Sequence, residues 1–502
     1  MLFNSLEFLY FFLPASFLGF QILRRYRQGA FALFFLGFCS LFFYGWWSPA
    51  YLILLLISII ANFSLGRAIS RSYSKVILTV AVIGNLTFIG WFKYANFFVG
   101  NLNWVTNTDI SLPDIILPLG ISFFTFQQIA YLVDCYKHKV EEHSFLHYLV
   151  FVSFFPQLIA GPIVHHGEMI PQLVNRIREK QNWTLVALGL TLFGIGLFKK
   201  VILADNLAVY VSPIFEAADA GHAASLLEAW AGALGYTLQL YFDFSGYSDM
   251  AIGLGYLFGV ELPVNFFSPY KAGSIIEFWR RWHMTLSQFL RDYLYIPLGG
   301  NRKGKARRHL NLMITMLLGG LWHGAGWNFV IWGGLHGGYL IINHLWSAIF
   351  PTASANRAYT LACHTVTLLA VITAWVVFRA ETLAGALNIL QGMAGMSGTI
   401  LPQSLAGTAF LFNDAIIAES KAIGALSSMS AFTTIGIGFL VVFLFPNCAE
   451  IRAWILGQGE KHAFSWQLNK RWLGVATITL CASLYAVTYY ANRVSEFIYF
   501  QF

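Results

Sequence analysis

The chain has 502 residues, 57% of them hydrophobic and 11% charged, with a formal net charge of +8. Soluble globular proteins carry about 25% charged residues, so this composition excludes a water-soluble domain, a disordered chain and a nucleic-acid-binding protein. The five cysteines (Cys39, Cys135, Cys363, Cys448 and Cys481) lie far apart, with no CxxC and no Cys/His ligand spacing, which argues against a disulfide framework and against a structural zinc site.

Leu6 to Leu23 is apolar apart from Glu7, and Arg24, Arg25 and Arg27 follow it. A secretory signal carries its cations before the apolar run. Here they come after it, so the segment reads as a retained span with its N-terminus outside the cytoplasm. Residues 28 to 66 contain no Asp, Glu, Lys or Arg, enough for two crossings of about 20 residues each. Their turn falls at Gly45–Pro49, where Trp46 and Trp47 suit the interface. Arg67, Arg71 and Lys75 mark a cytoplasmic loop. Val76 to Phe98 runs outward, and Pro113 to Val133 returns to Lys137 and Lys139. Phe145 to Val164 strains this alternation. Its Phe155-Pro156 and Gly161-Pro162 break a helix, and Arg176, Arg178 and Lys180 follow, so it reads as a buried pair of re-entrant half-helices.

Leu185 to Phe198 and Ser225 to Val260 are further spans. Asp243 and Asp249 in the second read as helix contacts inside the bundle; an ion pathway is the rival, and no ladder of acids supports it. Residues 270 to 308 carry nine cations against Glu277 and Asp292, a net +7. The positive-inside rule places them in the cytoplasm, with Phe278 to Leu298 resembling interfacial helices. Residues 309 to 356 again lack Asp, Glu, Lys and Arg but hold His309, His323, His336 and His344. Gly319, Gly320, Gly324 and Gly326 predict a helix break around His323. Ala358 to Phe378, Ala431 to Phe445 and Leu473 to Asn492 are later spans, and Arg452, Lys461, Lys470 and Arg471 put the loop before the last of them inside. The C-terminus then reads as outside, like the N-terminus. The path of residues 380 to 429 stays open. The expectation is an all-α polytopic membrane protein of roughly 11 transmembrane helices, with re-entrant and interfacial helices around a central cavity.

A polar residue deep in a membrane is a functional candidate by default. His323 can stay neutral at pH 7 and still take or give a proton. Glycines on both sides let backbone or substrate come close, and Trp322 and Trp327 can wall a narrow passage. The rival is a core histidine hydrogen-bonded between helices; the glycine-rich break in an uncharged stretch favours function. His283, in Arg280-Arg281-Trp282-His283, reads on its residues alone as a surface histidine. Arg280 and Arg281 can pair with phosphate, although topology accounts for the same cations. His165 and His166 are adjacent and cannot share one helix face, so no metal site is expected there. No Walker loop, GxSxG elbow or HExxH is present.

Four motifs occur together and in order: Asn265-Phe266-Phe267-Ser268-Pro269-Tyr270; Glu277-Phe278-Trp279-Arg280-Arg281-Trp282-His283-Met284-Thr285-Leu286-Ser287; Tyr293-Leu294-Tyr295-Ile296-Pro297-Leu298-Gly299-Gly300; and Leu321-Trp322-His323-Gly324-Ala325-Gly326-Trp327. With them the chain resembles the membrane-bound O-acyltransferase (MBOAT) family, in the bacterial branch that includes the membrane subunit of alginate O-acetyltransferase. Phe155 to Ile163 and Met1 to Ser5 also resemble that branch. The resemblance covers essentially residues 1 to 502 as one transmembrane domain in the bacterial inner membrane. It implies transfer of an acyl group from a cytoplasmic donor, acetyl-CoA, which is not a tightly bound cofactor. The group passes through a central constriction to a periplasmic acetyltransferase-type protein partner or to an exported polysaccharide. It implies a catalytic role for His323, acting as general base or becoming acylated itself, with His283 as the second family histidine and Asn265, Trp322, Trp327, Arg280 and Arg281 at the substrate. D-alanyl transfer to teichoic acid-type acceptors is the alternative within the family, and a transporter or flippase the alternative outside it.

Overall fold

The computed structural model describes residues 1–26, 29–113, 115–140, 144–175, 182–350, 356–401, 415–417, 430–459, 465–467, 469–489 and 497–498. Arg27, Arg176, Arg178, Lys180, Lys461 and Asn492, the C-terminal residues from 499, and most of the 380–429 stretch beyond Leu401 lie outside these. The described chain is almost wholly helical, as hydrocarbon demands of a backbone that must satisfy its own hydrogen bonds. The early helices are α1 (Leu13–Arg25), α2 (Gly29–Gly45), α3 (Pro49–Ser72), α4 (Lys75–Ile89), α5 (Ala95–Thr106), α6 (Ile121–Tyr136), α7 (Phe145–Ser153), α8 (His166–Asn175) and α9 (Trp183–Phe198). Then follow α10 (Asp205–Asp219), α11 (Leu226–Leu257), α12 (Ile275–Arg281), α13 (Met284–Leu290), α14 (Gly304–His323), α15 (Trp327–Ile349) and α16 (Arg357–Arg379). The last are α17 (Leu383–Met393), α18 (Ser430–Leu444), α19 (Cys448–Ile455) and α20 (Lys470–Tyr489). Between α17 and α18, two three-residue strands, β1 (Thr399–Leu401) and β2 (Ala415–Ile417), pair in parallel. Six stretches among the described residues are long and apolar enough to cross a membrane: Pro49–Ser72, Lys75–Thr106, Trp183–Asp219, Arg357–Arg379, Ser430–Ile455 and Lys470–Tyr489.

The chain divides into two compact units. The first comprises Met1–Phe198, Tyr247–Val264 and Glu450–Phe502. Its α3, α4, α6 and α7 are joined by buried polar side chains. Asn62 and Asn85 exchange side-chain amide bonds at 3.2 and 2.7 Å, Gln128 donates to Ser58 Oγ at 2.9 Å, and Tyr148 donates to Gln128 at 3.3 Å. Between apolar helices in lipid such hydrogen bonds hold a bundle together. The turn at Gly45–Pro49 separates α2 from α3 as expected. The expected re-entrant segment is also irregular: α7 stops at Ser153, and residues 154–161 turn within the protein, all buried. Ser40 Oγ accepts from Phe155 N at 3.2 Å, and Gln157 caps Phe151 O at 2.7 Å. The expected span from Pro113 begins later, at Ile121, because Pro113 and Pro118 keep the preceding segment out of a helix.

The second unit comprises Lys199–Gly246 and Asn265–Ala449. A π-helical turn, Lys199–Ala204, leads into α10. Its Lys200 is buried and reaches Asp243 on α11 at 2.7 Å and Asp205 at 2.8 Å. Asp243 is therefore one end of a buried ion pair, in line with its expected helix-contact role. Asp219, at the end of α10, accepts from Thr382 N at 2.9 Å and Thr382 Oγ1 at 2.8 Å, and so fixes the start of α17. The α14–α15 hairpin packs against α12 and α16 and forms the centre of this unit.

Removing one partner of a buried pair leaves the other charge uncompensated, at a cost of about 3–5 kcal/mol. Lys200→Met therefore lowers the thermal stability of the detergent-solubilised protein, and adding Asp243→Leu restores much of it. Equal destabilisation of the single and double variants would show that the two charges are not coupled.

Candidate functional site

The site residues lie in the second unit, and α12 presents the first of them. Ser274 caps it by accepting from Glu277 N at 3.2 Å, while the Glu277 carboxylate reaches one residue past the cap and accepts from Gly273 N at 2.8 Å. Glu277 also binds Arg281 at 2.5 Å. Arg281 is thus half-buried and paired, whereas Arg280 beside it is exposed. Arg302, Lys303, Lys305 and Arg307 are exposed as well.

α12 ends in an abrupt corner. Trp282 is extended and His283 takes a left-handed backbone with φ +43°, a conformation that non-glycine residues adopt at a cost and that clusters at functional sites. The segment from Asn265 clasps this corner. Phe267 N donates to Arg281 O at 2.9 Å, and Met284 N donates to Asn265 O at 3.0 Å. Asn265 Oδ1 accepts from Thr285 N at 3.3 Å and from Thr285 Oγ1 at 3.0 Å, and it lies 3.1 Å from His283 Nδ1. A backbone N–H can only donate, so this atom is the carbonyl oxygen and His283 Nδ1 carries the hydrogen. The Nε2 of the neutral ring then holds a lone pair. His283 is fully buried against the edge of Phe244 at 4.8 Å, and burial pushes its pKa below the ordinary histidine value. The surface-histidine reading of the sequence is corrected here: the Asn265 clasp turns the ring inward.

His323 is the last residue of α14. The helix breaks at Gly324–Gly326, directly after His323, where the sequence predicted a break, while Gly319 and Gly320 stay helical. Gly320 instead allows contact with α15: a Cβ there would lie 2.2 Å from Phe329 O, and one on Gly333 would lie 2.3 Å from Met316 O. Beyond the break, Asn328 Nδ2 donates to Ala380 O and Phe329 packs on Phe378 at 5.0 Å. His323 is buried among Trp322 at 4.9 Å, Trp332 at 5.0 Å and Phe378 at 5.4 Å.

The structure adds residues that sequence reasoning passed over. His336 is completely buried; it accepts from Trp279 Nε1 at 3.2 Å and packs on Trp332 at 4.9 Å. Imidazoles and indoles therefore alternate through the unit: His283 touches Trp322 at 6.2 Å, Trp322 touches His323, His323 touches Trp332, and Trp332 touches His336. The signal was available in the sequence, because Trp332 and His336 are four apart and share one helix face. Trp327 stands at the start of α15, just past the break, and is 55% exposed. Next to the row, α12, α15 and α16 enclose a largely apolar cavity of about 410 Å³ that includes Ser274, Tyr339, Asn343, Tyr359 and Cys363. Tyr339 packs on His336 at 5.7 Å.

The profile of the MBOAT, membrane-bound O-acyltransferase family, matches residues 134–385, a range that includes the whole row. The peptidoglycan O-acetyltransferase of Helicobacter pylori is 40% identical, over 100% of this chain and 98% of its own. A probable alginate O-acetylase of Pseudomonas aeruginosa is 40% identical over 78% of this chain and 75% of its own. A teichoic acid D-alanyltransferase of Streptococcus thermophilus is 28% identical over 48% of this chain and 60% of its own. With a helical, membrane-spanning fold that buries the two expected histidines side by side with tryptophans, the chain belongs to the MBOAT family and is a membrane O-acyltransferase.

Proposed function

We propose that the protein moves an acetyl group from acetyl-CoA in the cytoplasm, past His323, to a glycan outside the inner membrane. The observation that carries this reading is His323 itself, an imidazole buried among Trp322, Trp332 and Phe378 at the mouth of a glycine break. Acyl transfer to a hydroxyl needs a proton removed as the C–O bond forms, and imidazole suits that task at neutral pH. In this step the acceptor oxygen attacks the thioester carbonyl carbon and its proton passes to His323. The C–S bond then breaks, and the departing thiolate takes the proton back.

The glycan acceptor is supported by relatives named for peptidoglycan and alginate acetylation. The end-to-end likeness to the peptidoglycan O-acetyltransferase, 100% of this chain against 78% for the alginate O-acetylase, favours cell-wall glycan. The acyl group reaches it through a periplasmic acetyltransferase-type partner. The exposed cations Arg280, Arg302, Lys303, Lys305 and Arg307 face the cytoplasm and meet the phosphates of the donor, and both termini lie in the periplasm. His283, the second family histidine, packs on Trp322 in the same row of rings.

His323→Ala should lower transfer from acetyl-CoA by about 10²-fold or more, with expression and detergent-phase monodispersity unchanged. A core histidine would instead cost about 1–3 kcal/mol of stability and leave the folded fraction active; turnover within a few-fold of wild type would remove His323 from the mechanism. For orientation, Lys303→Cys should resist an impermeant thiol reagent in intact cells and react once the membrane is opened. Labelling in intact cells would invert the topology. Arg280→Gln should raise the apparent KM for acetyl-CoA while leaving acceptor use unchanged, an effect that weakens as salt is added. An unaltered KM would leave this cation to topology alone.

A further inference from the structure

Trp332 and His336 lie four residues apart on α15, and both are buried, at 1% and 0% exposure. Neither Trp332 Nε1 nor His336 Nε2 has a hydrogen-bond partner among the described residues. An indole nitrogen only donates. For His336 the tautomer is fixed by its neighbour: Trp279 Nε1–H donates to Nδ1 at 3.2 Å, so Nδ1 is the acceptor and the proton of the neutral ring sits on Nε2. One helical turn thus carries two buried N–H donors with nothing to receive them. Native proteins pair more than about nine in ten buried polar groups, and two such exceptions side by side call for an acceptor that arrives from outside the chain.

Trp332 adjoins the reacting histidine directly, and His336 adjoins it through Trp332. Trp332 touches His323 at 5.0 Å and His336 at 4.9 Å, so the two imidazole centres lie within about 10 Å of each other. An oxyanion donor has to lie about 2.9 Å from the carbonyl oxygen while the carbonyl carbon stands about 3 Å from the reacting nitrogen, so donors within this distance of His323 are of the right order. Tyr339, which packs on His336, also lines the apolar cavity between α12, α15 and α16.

We propose that Trp332 Nε1–H and His336 Nε2–H form an oxyanion hole for the acyl group at His323. As the acceptor oxygen bonds to the thioester carbon, the carbonyl π pair moves onto oxygen. The two donors hold that negative charge until the C–S bond breaks and the carbonyl re-forms. Both are neutral, so they need no counter-charge at membrane depth. The proposal rests on His323 being the reacting histidine, and the experiment separates the two.

The probe is acetyl-CoA, with label transfer followed in membrane vesicles and monodispersity checked on the same preparations. His336→Phe and Trp332→Phe should each lower kcat by about 10²–10³-fold with KM within a few-fold. His336→Gln, which keeps an N–H near Nε2, should recover part of the loss. Trp279→Phe, which releases the tautomer without touching the hole, should give an intermediate loss. Replacing Trp332 by benzothienylalanine keeps its shape and removes only the N–H, so its kcat loss decides the matter should Trp332→Phe misfold. Near-normal kcat for folded His336→Phe and for the benzothienyl variant, with His323→Ala inactive, would overturn the hole and leave the His323 reading intact. If His323→Ala were active too, the reading beneath it would fall as well.

Discussion

The site depends on how closely two backbones approach. Where α14 meets α15, Gly320 and Gly333 leave no room for a methyl group, and a Cβ on Gly337 would lie 2.8 Å from Met313 Sδ. Lipid tails are as apolar as the helices they surround, so helices in a membrane associate through such close packing and not through exclusion of water. The consequence is positional. With the two helices in backbone contact, the face of α15 that carries Trp332 and His336 is laid against the end of α14 that carries His323. A larger residue at either glycine would push the imidazoles apart before it disturbed either helix internally.

Around this contact, each fixed imidazole is set by a neighbour that has only one possible role. The Asn265 carbonyl makes His283 a donor at Nδ1 and leaves its Nε2 a lone pair. The Trp279 indole makes His336 an acceptor at Nδ1 and leaves its Nε2 a proton. The two outer histidines of one row therefore present opposite functions from the same ring atom. Both do so as neutral groups, which suits a buried site where an isolated charge is costly. The buried charges of this unit are kept in a different arrangement, with Lys200 bound to Asp243 and Asp205 at a π-helical turn.

Much of the fold was legible where charge and length speak directly. The cation-free stretches located α2, α3 and α16, and Phe155-Pro156 located the buried irregular turn after α7. Lys200 was missed because a lysine at the end of an apolar run reads as a boundary, and only the bend of the chain carries it inward to Asp243. The break around His323 was legible in its glycines and falls at Gly324–Gly326, whereas Gly320 serves a different purpose, since its missing side chain is what the neighbouring helix requires. His283 looked like a surface residue because Arg280 and Arg281 precede it; a positive φ and the reach of Asn265, 18 residues earlier, turn it inward. Trp327 shares the motif of His323 and lies just past the glycine corner, at the start of α15. His336 had no motif to mark it, and its meaning comes from Trp279 on another helix.

The row of rings also indicates where specificity must be sought. The family profile spans residues 134–385 and so takes in the row from Asn265 to Phe378. The family also includes proteins named for D-alanyl transfer and for acetylation of two different glycans. On the roles proposed above, a carbonyl attacked by an acceptor oxygen places the same demand on His323 and on the donors of Trp332 and His336 whatever the acceptor. Acceptor choice therefore cannot be encoded in His323, Trp332 or His336. It has to lie in residues that differ among relatives of equal overall identity. The alginate O-acetylase match leaves about a fifth of this chain unaligned, whereas the peptidoglycan O-acetyltransferase match leaves none, and on the cell-wall glycan proposed above that portion is the first place to seek contacts with the acceptor.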